Sequence, residues 1–193
     1  MHIMTDALLA LKESKAQGKS SVEDVESLIV SNLLPDLAIS ESTKQALKKH
    51  WSDLSAKQQL ILKTYVAVSL VDNYAAILAA YDDLDSIKMA ADPKVKRKGN
   101  KAIVKLNIWL NQDAKPVVVS LKMQLAQDWQ IYDVVFSGVS LVKNYQASFN
   151  SHIKRKGIEG LLAKASKKLK KHVGEHCPVC LAMNLKKAVL SDY

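Results

Sequence analysis

Between Ala102 and Leu125 apolar and polar residues alternate, and that alternation constrains the fold more than any other feature of the chain. Ala102, Val104, Leu106, Ile108 and Leu110 fall on one face, with Lys105 and Asn107 on the other. After a break at Asn111 to Pro116 the pattern repeats, with Val117, Val119, Leu121, Met123 and Leu125 set against Ser120, Lys122 and Gln124. A period of two is that of a β-strand, whose successive side chains point to opposite faces. Two such runs joined by a short connection are antiparallel neighbours. Their common apolar face needs an apolar cover, supplied either by helices or by a ligand.

The alternation extends in both directions. Gly99-Asn100 is a hairpin turn, preceded by an extended but ragged segment from Ser86 to Arg97. Downstream, a Gln127-Asp128 turn leads into the apolar-rich run Trp129 to Phe136. This predicts a meander of about four strands. It stops at Ser137-Gly138, where helical periodicity resumes with Ser140 as N-cap candidate.

Either side of the meander reads as helix. Thr5 to Ala16 carries Ala7, Leu8 and Leu11 at helical spacing and ends near Gly18. Ser20 or Ser21 starts a second helix, with Glu23 and Asp24 in its first turn, and Leu34-Pro35-Asp36 breaks it. A short helix near Ser42 to Trp51 follows. Ser55, with Gln58 at the capping-box position, opens the longest one, running to about Asp82. After the meander come Ser140 to Lys156, a stop at Gly157, Ile158 to His172, a stop at Gly174, and a last helical piece from about Leu181. The expected class is α+β: a curved antiparallel meander packed against a helical subdomain. By composition the chain divides into residues 1–85 (helical subdomain), 86–172 (sheet with helices, forming one domain with the first part) and 173–193 (C-terminal extension).

A hydrophobic share of 48% over 193 residues excludes a wholly disordered chain. No uninterrupted apolar run reaches the roughly 18 residues of a spanning helix. The start, MHIMTDALLALKESKAQG, lacks the charged and long apolar regions of a signal peptide, as expected of a cytosolic chain or of the mature form of an exported one. The net charge of +9 is concentrated late: Ser140 to Tyr193 holds eleven Lys and Arg against Glu159, Glu175 and Asp192, leaving the first 139 residues near balance. Such a surplus suits an anionic partner or is a solvated helix face. Lys154, Arg155, Lys156, Lys164, Lys167, Lys168, Lys170 and Lys171 form its densest stripe. No stacking aromatics accompany them, so a membrane surface or acidic partner is favoured over nucleic acid.

Few residues carry candidate chemistry. Asp133 lies in the middle of an apolar strand, so it is either paired or an active-site acid. No histidine lies in the meander to work with it, since His50 and His152 fall outside. Pairing to a backbone group or to Asn144 is the expectation, and no catalytic residues are assigned. In the tail, His172, His176, Cys177 and Cys180 offer four ligands at a spacing that would suit zinc. A disulfide or unpaired thiols is the simpler reading of Cys177-x-x-Cys180, and no metal site is assigned.

The run Trp129-x-x-Tyr132-Asp133-Val134, then Gly138-Val139-Ser140-Leu141-Val142-x-Asn144-Tyr145, Phe149 and Gly157-x-x-x-Leu161-Leu162 resembles the MlaC family, also called toluene-tolerance auxiliary proteins. Leu33-Leu34-Pro35, Trp51 before Ser55, and Tyr74 with Leu78 extend the likeness over roughly Val22 to Leu169. The Ser86 to Gly99 segment fits the pattern loosely, and Gln146 stands where the family usually has Arg. The resemblance implies a sheet like that of nuclear transport factor 2, with a cavity between sheet and helices for phospholipid tails and no chemistry of its own. It implies a periplasmic shuttle between an outer-membrane lipoprotein complex and an inner-membrane lipid-transport ABC complex, with phospholipid as cargo and no other cofactor. The expected acyl contacts are Val104, Leu106, Ile108, Val119, Leu121 and Met123 on the strands. Tyr74, Leu78, Tyr132, Val134, Leu141 and Tyr145 complete the expected lining.

Overall fold

The alternating runs become an antiparallel sheet. In the computed structural model, which describes residues 2–111, 115–172 and 177–190, its strands are β1 (Lys88–Ala91), β2 (Lys96–Lys98), β3 (Lys101–Trp109), β4 (Val117–Leu125), β5 (Trp129–Phe136) and β6 (Val139–Ser140). The order is β1-β3-β4-β5-β6, and β2 also pairs with β3. Cross-strand partners share a face. Val104 stands opposite Leu121 and Leu121 opposite Val134, while Leu106 meets Val119 and Ile108 meets Val117. The expected apolar face is therefore real. Leu110 departs from it: β3 ends at Trp109 and Leu110 is exposed.

Two irregularities shape this sheet. The register slips between Lys122 and Met123, so that Asp133 faces Lys122 while Met123 faces Ile131. The extra residue is Tyr132, and a bulge of this kind re-aims a side chain. The second lies at the edge, where residues 92–95 interrupt the chain between β1 and β2. Pro93 has no N–H to give the ladder. The Asp92 N–H still donates to the Lys105 carbonyl at 2.8 Å, and the Lys94 N–H turns back to Asp92 Oδ1 at 2.8 Å. The ragged segment of the sequence is thus a broken edge strand. At the far end, Ser137 (φ 48°) and Gly138 (φ 80°) make the tight turn from β5 into β6.

Contacts divide the chain into two units, each built from separate stretches of the sequence. One unit takes the described residues up to Ala38 together with Ala75–Leu141; the other takes Ile39–Tyr74 and the described residues from Val142 onward. The reason is that the first two helices group with the distant sheet instead of with their sequence neighbours. They are α1 (His2–Ala16) and α2 (Val22–Asn32), the latter closed by a capping box between Ser21 and Asp24. After a 3-10 turn at Leu34–Asp36, the Ala38 N–H donates to the Ile131 carbonyl at 2.8 Å, beside the bulge. The ammonium of Lys15 on α1 reaches the Ala79 carbonyl at 2.8 Å, satisfying the end of a later helix.

The other unit is helical: α3 (Ile39–Leu47), α4 (Ala56–Ala80) as far as Tyr74, α5 (Leu141–His172) from Val142, and α6 (Pro178–Ala182). Ser55 and Gln58 exchange the expected capping-box hydrogen bonds at 2.9 and 3.2 Å. Gly157 breaks α5 at φ 70°, where the sequence placed a stop. Leu47, Ile61, Leu62, Phe149, Leu161, Leu162 and Leu169 are fully buried in this core. By length and average composition α4 is apolar enough to cross a bilayer, although polar residues interrupt it; 56% of its most apolar window is buried within the protein.

Candidate functional site

The sheet's apolar face is not completely filled. Leu106, Val119, Leu121 and Ile131 are buried at its centre, with Val104, Ile108, Val117, Met123 and Val134 packed around them. Above part of this face lies a cavity of about 360 Å³ lined by Val104, Leu106, Leu121 and Met123 from the sheet, Ile3 and Met4 from α1, and Ala91, Asp92, Pro93 and Val95 from the broken edge. Its wall is apolar except for Asp92. Such a wall offers a ligand shape and apolar area.

The expected acyl contacts are placed as follows. Val104, Leu106, Leu121 and Met123 line the cavity, and Ile108, Val119 and Val134 belong to the same apolar cluster. Tyr132 lies elsewhere: the bulge turns it to the opposite face, where the Lys101 ammonium sits 5.4 Å from its ring centroid. Leu78 and Leu141 are half-buried and outside the lining of this cavity. Tyr74 and Tyr145 belong to the helical unit. There Tyr145 packs 5.7 Å from Phe149, and burial, then the Tyr65 and Tyr74 phenols, hold its hydroxyl well above the usual phenol range. Ile3, Met4 and the 91–95 segment were missed. Ile3, Met4, Ala7, Leu8 and Leu11 continue one helical face back past Thr5, so the helical period extends to the start of α1.

Asp133 is paired, as expected, and the side chains that hold it are Lys122 and Ser140 rather than Asn144. Its Oδ2 accepts from Lys122 Nζ at 2.9 Å and from Ser140 Oγ at 2.7 Å. Lys122 stands directly across on β4, and both lie on the face away from the cavity. Ser140 closes β6 and stands immediately before α5, the N-cap position expected of it, and its hydroxyl donates to this carboxylate. The site is therefore a strut on the polar face, and the enzyme-like reading of Asp133 loses its basis.

The described part of the tail is packed: Val179, Cys180, Leu185 and Leu190 are buried, and it groups with the helical unit. Cys177 and Cys180 form a disulfide, which removes the thiolates zinc would require. His176 lies outside the described residues, and His172 faces Asp72 at 3.3 Å. In the basic stripe, Lys168 pairs with Asp72 at 2.9 Å, and Lys154, Arg155, Lys156, Lys164, Lys167, Lys170 and Lys171 are exposed.

Comparison with known proteins agrees with this architecture. A phospholipid-binding protein from Ralstonia solanacearum, solved in complex with a phospholipid, has a similar fold at 22% identity, with 88% of this chain and 93% of that one covered and a TM-score of 0.74. A search of curated proteins found no match. The family model for MlaC protein matches residues 2–167, a span that includes the whole sheet, α1 and the broken edge. By that match, over most of its length, the chain belongs to the MlaC family.

Proposed function

We propose that this protein binds a phospholipid by its acyl tails and carries it between membranes, without chemistry of its own. The observation that carries the reading is the unfilled apolar face, with its cavity of about 360 Å³ beside a broken edge strand. The phospholipid bound by the Ralstonia protein of similar fold supports it. In this reading the carrier works in the periplasm, between an outer-membrane lipoprotein complex and an inner-membrane ABC complex.

Size refines the proposal. If a methylene takes roughly the volume of a liquid water, about 30 Å³, the cavity encloses about a dozen of them. Two ordinary tails carry about 30 methylenes at about 0.8 kcal/mol each, so this cavity shelters a part worth roughly 10 kcal/mol gross. Leaving a bilayer that is equally apolar offsets most of that, as a carrier requires. The exposed lysines of α5 add docking to an anionic membrane at about 1 kcal/mol each near the surface. Lys168, paired with Asp72, is not among them.

The decisive experiment is mass spectrometry of an organic extract of the protein purified from membrane-rich cells. Stoichiometric phospholipid is expected, and protein free of lipid overturns the reading. For docking, anionic vesicles should co-sediment the wild type but not the variant with Lys167, Lys170 and Lys171 changed to Glu; equal sedimentation removes that part.

A further inference from the structure

The interrupted edge carries a dense group of cations beside the cavity. Lys94, Lys96, Arg97, Lys98 and Lys101 fall within eight residues, with Asp92 as the nearby carboxylate. Register divides them between two faces. Lys96 pairs with Ile103 and Lys98 with Lys101, on the face away from the cavity. Arg97 pairs with Ala102, which pairs with Met123, and Met123 lines the cavity. Arg97 is therefore on the cavity face, one row from its wall.

Its guanidinium is held rather than loose. It sits 5.1 Å from the ring centroid of Trp129, and its Nε lies 3.5 Å from the Gly99 carbonyl. Trp129 stands on β5, so Arg97 reaches across β3 and β4 along the end of the apolar face. No carboxylate among the described residues pairs with Lys94, Lys96, Arg97 or Lys98. A guanidinium fixed on an aromatic ring, with its terminal nitrogens unspent, is suited to bind a phosphate bidentately.

We propose that Arg97, with Lys94 beside it on the broken edge, binds the phosphate of the lipid whose tail occupies the cavity, and that the protein prefers lipids of net negative charge. The inference rests on the lipid-carrier reading and adds a headgroup site and a cargo class to it. Arg97 makes the contact on the cavity face. Lys96, Lys98 and Lys101 supply a positive field from behind, which disfavours no phosphodiester but rewards a headgroup without a compensating cation. Asp92 opposes this field, and its carboxylate already accepts the Lys94 N–H.

The test loads lipid-stripped protein from vesicles of equal phosphatidylglycerol and phosphatidylcholine, followed by extraction and mass spectrometry. The wild type should take up phosphatidylglycerol several-fold over phosphatidylcholine. Arg97→Gln should lose that preference and retain lipid about tenfold less well, the loss of one charge-assisted contact. Arg97→Lys should restore part of both, and Lys187→Gln, at an exposed lysine of the helical unit, should change neither. The wild-type preference should also collapse in about 1 M salt, where the screening length is about 3 Å, a measurement that needs no substitution. Loading with an even headgroup ratio in both wild type and Arg97→Gln overturns this inference and leaves the carrier reading standing. A wild type that loads neither lipid overturns the carrier reading and this inference with it. Inorganic phosphate binding that is lost in Arg97→Gln while lipid loading is unchanged marks a free-anion site and overturns the lipid assignment.

Discussion

The two units bury their large apolar side chains to different degrees. In the helical unit Phe149, Leu47, Ile61, Leu62, Leu161, Leu162 and Leu169 are all under 2% exposed, whereas no strand residue reaches that degree of burial. The sheet unit instead leaves Val104, Met123 and Val134 partly exposed around a cavity. Helices fill space on all sides of one another with ridges and grooves. A sheet face covered by the start of α1 and an interrupted edge is roofed only in part. A closed core is optimised for stability; an unclosed one leaves apolar area for a ligand to cover.

Substitutions can break or sharpen that contrast. The largest effect is expected from Phe149→Ala, which removes a fully buried ring and should cost about 4 kcal/mol in urea unfolding. A cost near zero would mean the helical core is not closed. Next comes Leu121→Glu in the cavity wall, which buries an unpaired carboxylate beside an opening to water and should cost about 3 kcal/mol. The variant should remain folded by circular dichroism and lose its lipid. Full lipid content in folded Leu121→Glu protein would put the ligand elsewhere.

A third substitution separates the two faces of the sheet. Asp133→Ala strands the Lys122 ammonium, which is 30% exposed, so the cost should be about 2 kcal/mol rather than the larger figure of a fully buried pair. Lipid content should not change, because the strut lies away from the cavity. A drop in lipid without a drop in stability would overturn that assignment.

Titration gives a smaller effect in the helical unit. The Tyr145 phenol is held above its usual range, chiefly by burial, so the folded protein keeps this proton more tightly than the unfolded chain does. The contribution is fully present below the unfolded phenol value of about 10 and is lost as pH rises beyond it. Tyr145→Phe should therefore flatten the alkaline decline in unfolding free energy from about pH 10 upward. An unaltered slope would show that Tyr145 is not the group responsible. The smallest effect belongs to Cys177→Ser: a bridge closing so short a loop constrains the unfolded chain little, and stability should fall by about 1 kcal/mol or less with lipid retained.

The sequence by itself determined what depends on near neighbours in the chain. The period of two through Val104, Leu106, Val119 and Leu121, the capping boxes at Ser21 and Ser55, the turn at Ser137-Gly138 and the break at Gly157 all follow from local backbone and side-chain preferences. The apolar face was legible for the same reason. What occupies that face was not, because alternation says which residues point inward and nothing about the volume left between them and the next layer. Tertiary structure decided the rest through pairings distant in the chain. One slipped residue at Lys122/Met123 turned Tyr132 to the far face and brought Lys122 to Asp133 in place of Asn144. The return of α1 to the sheet made Ile3 and Met4 part of the wall. Strand register and the gaps left by packing arise only when separate segments meet, and only there did the cavity and the position of Arg97 on its rim come into being.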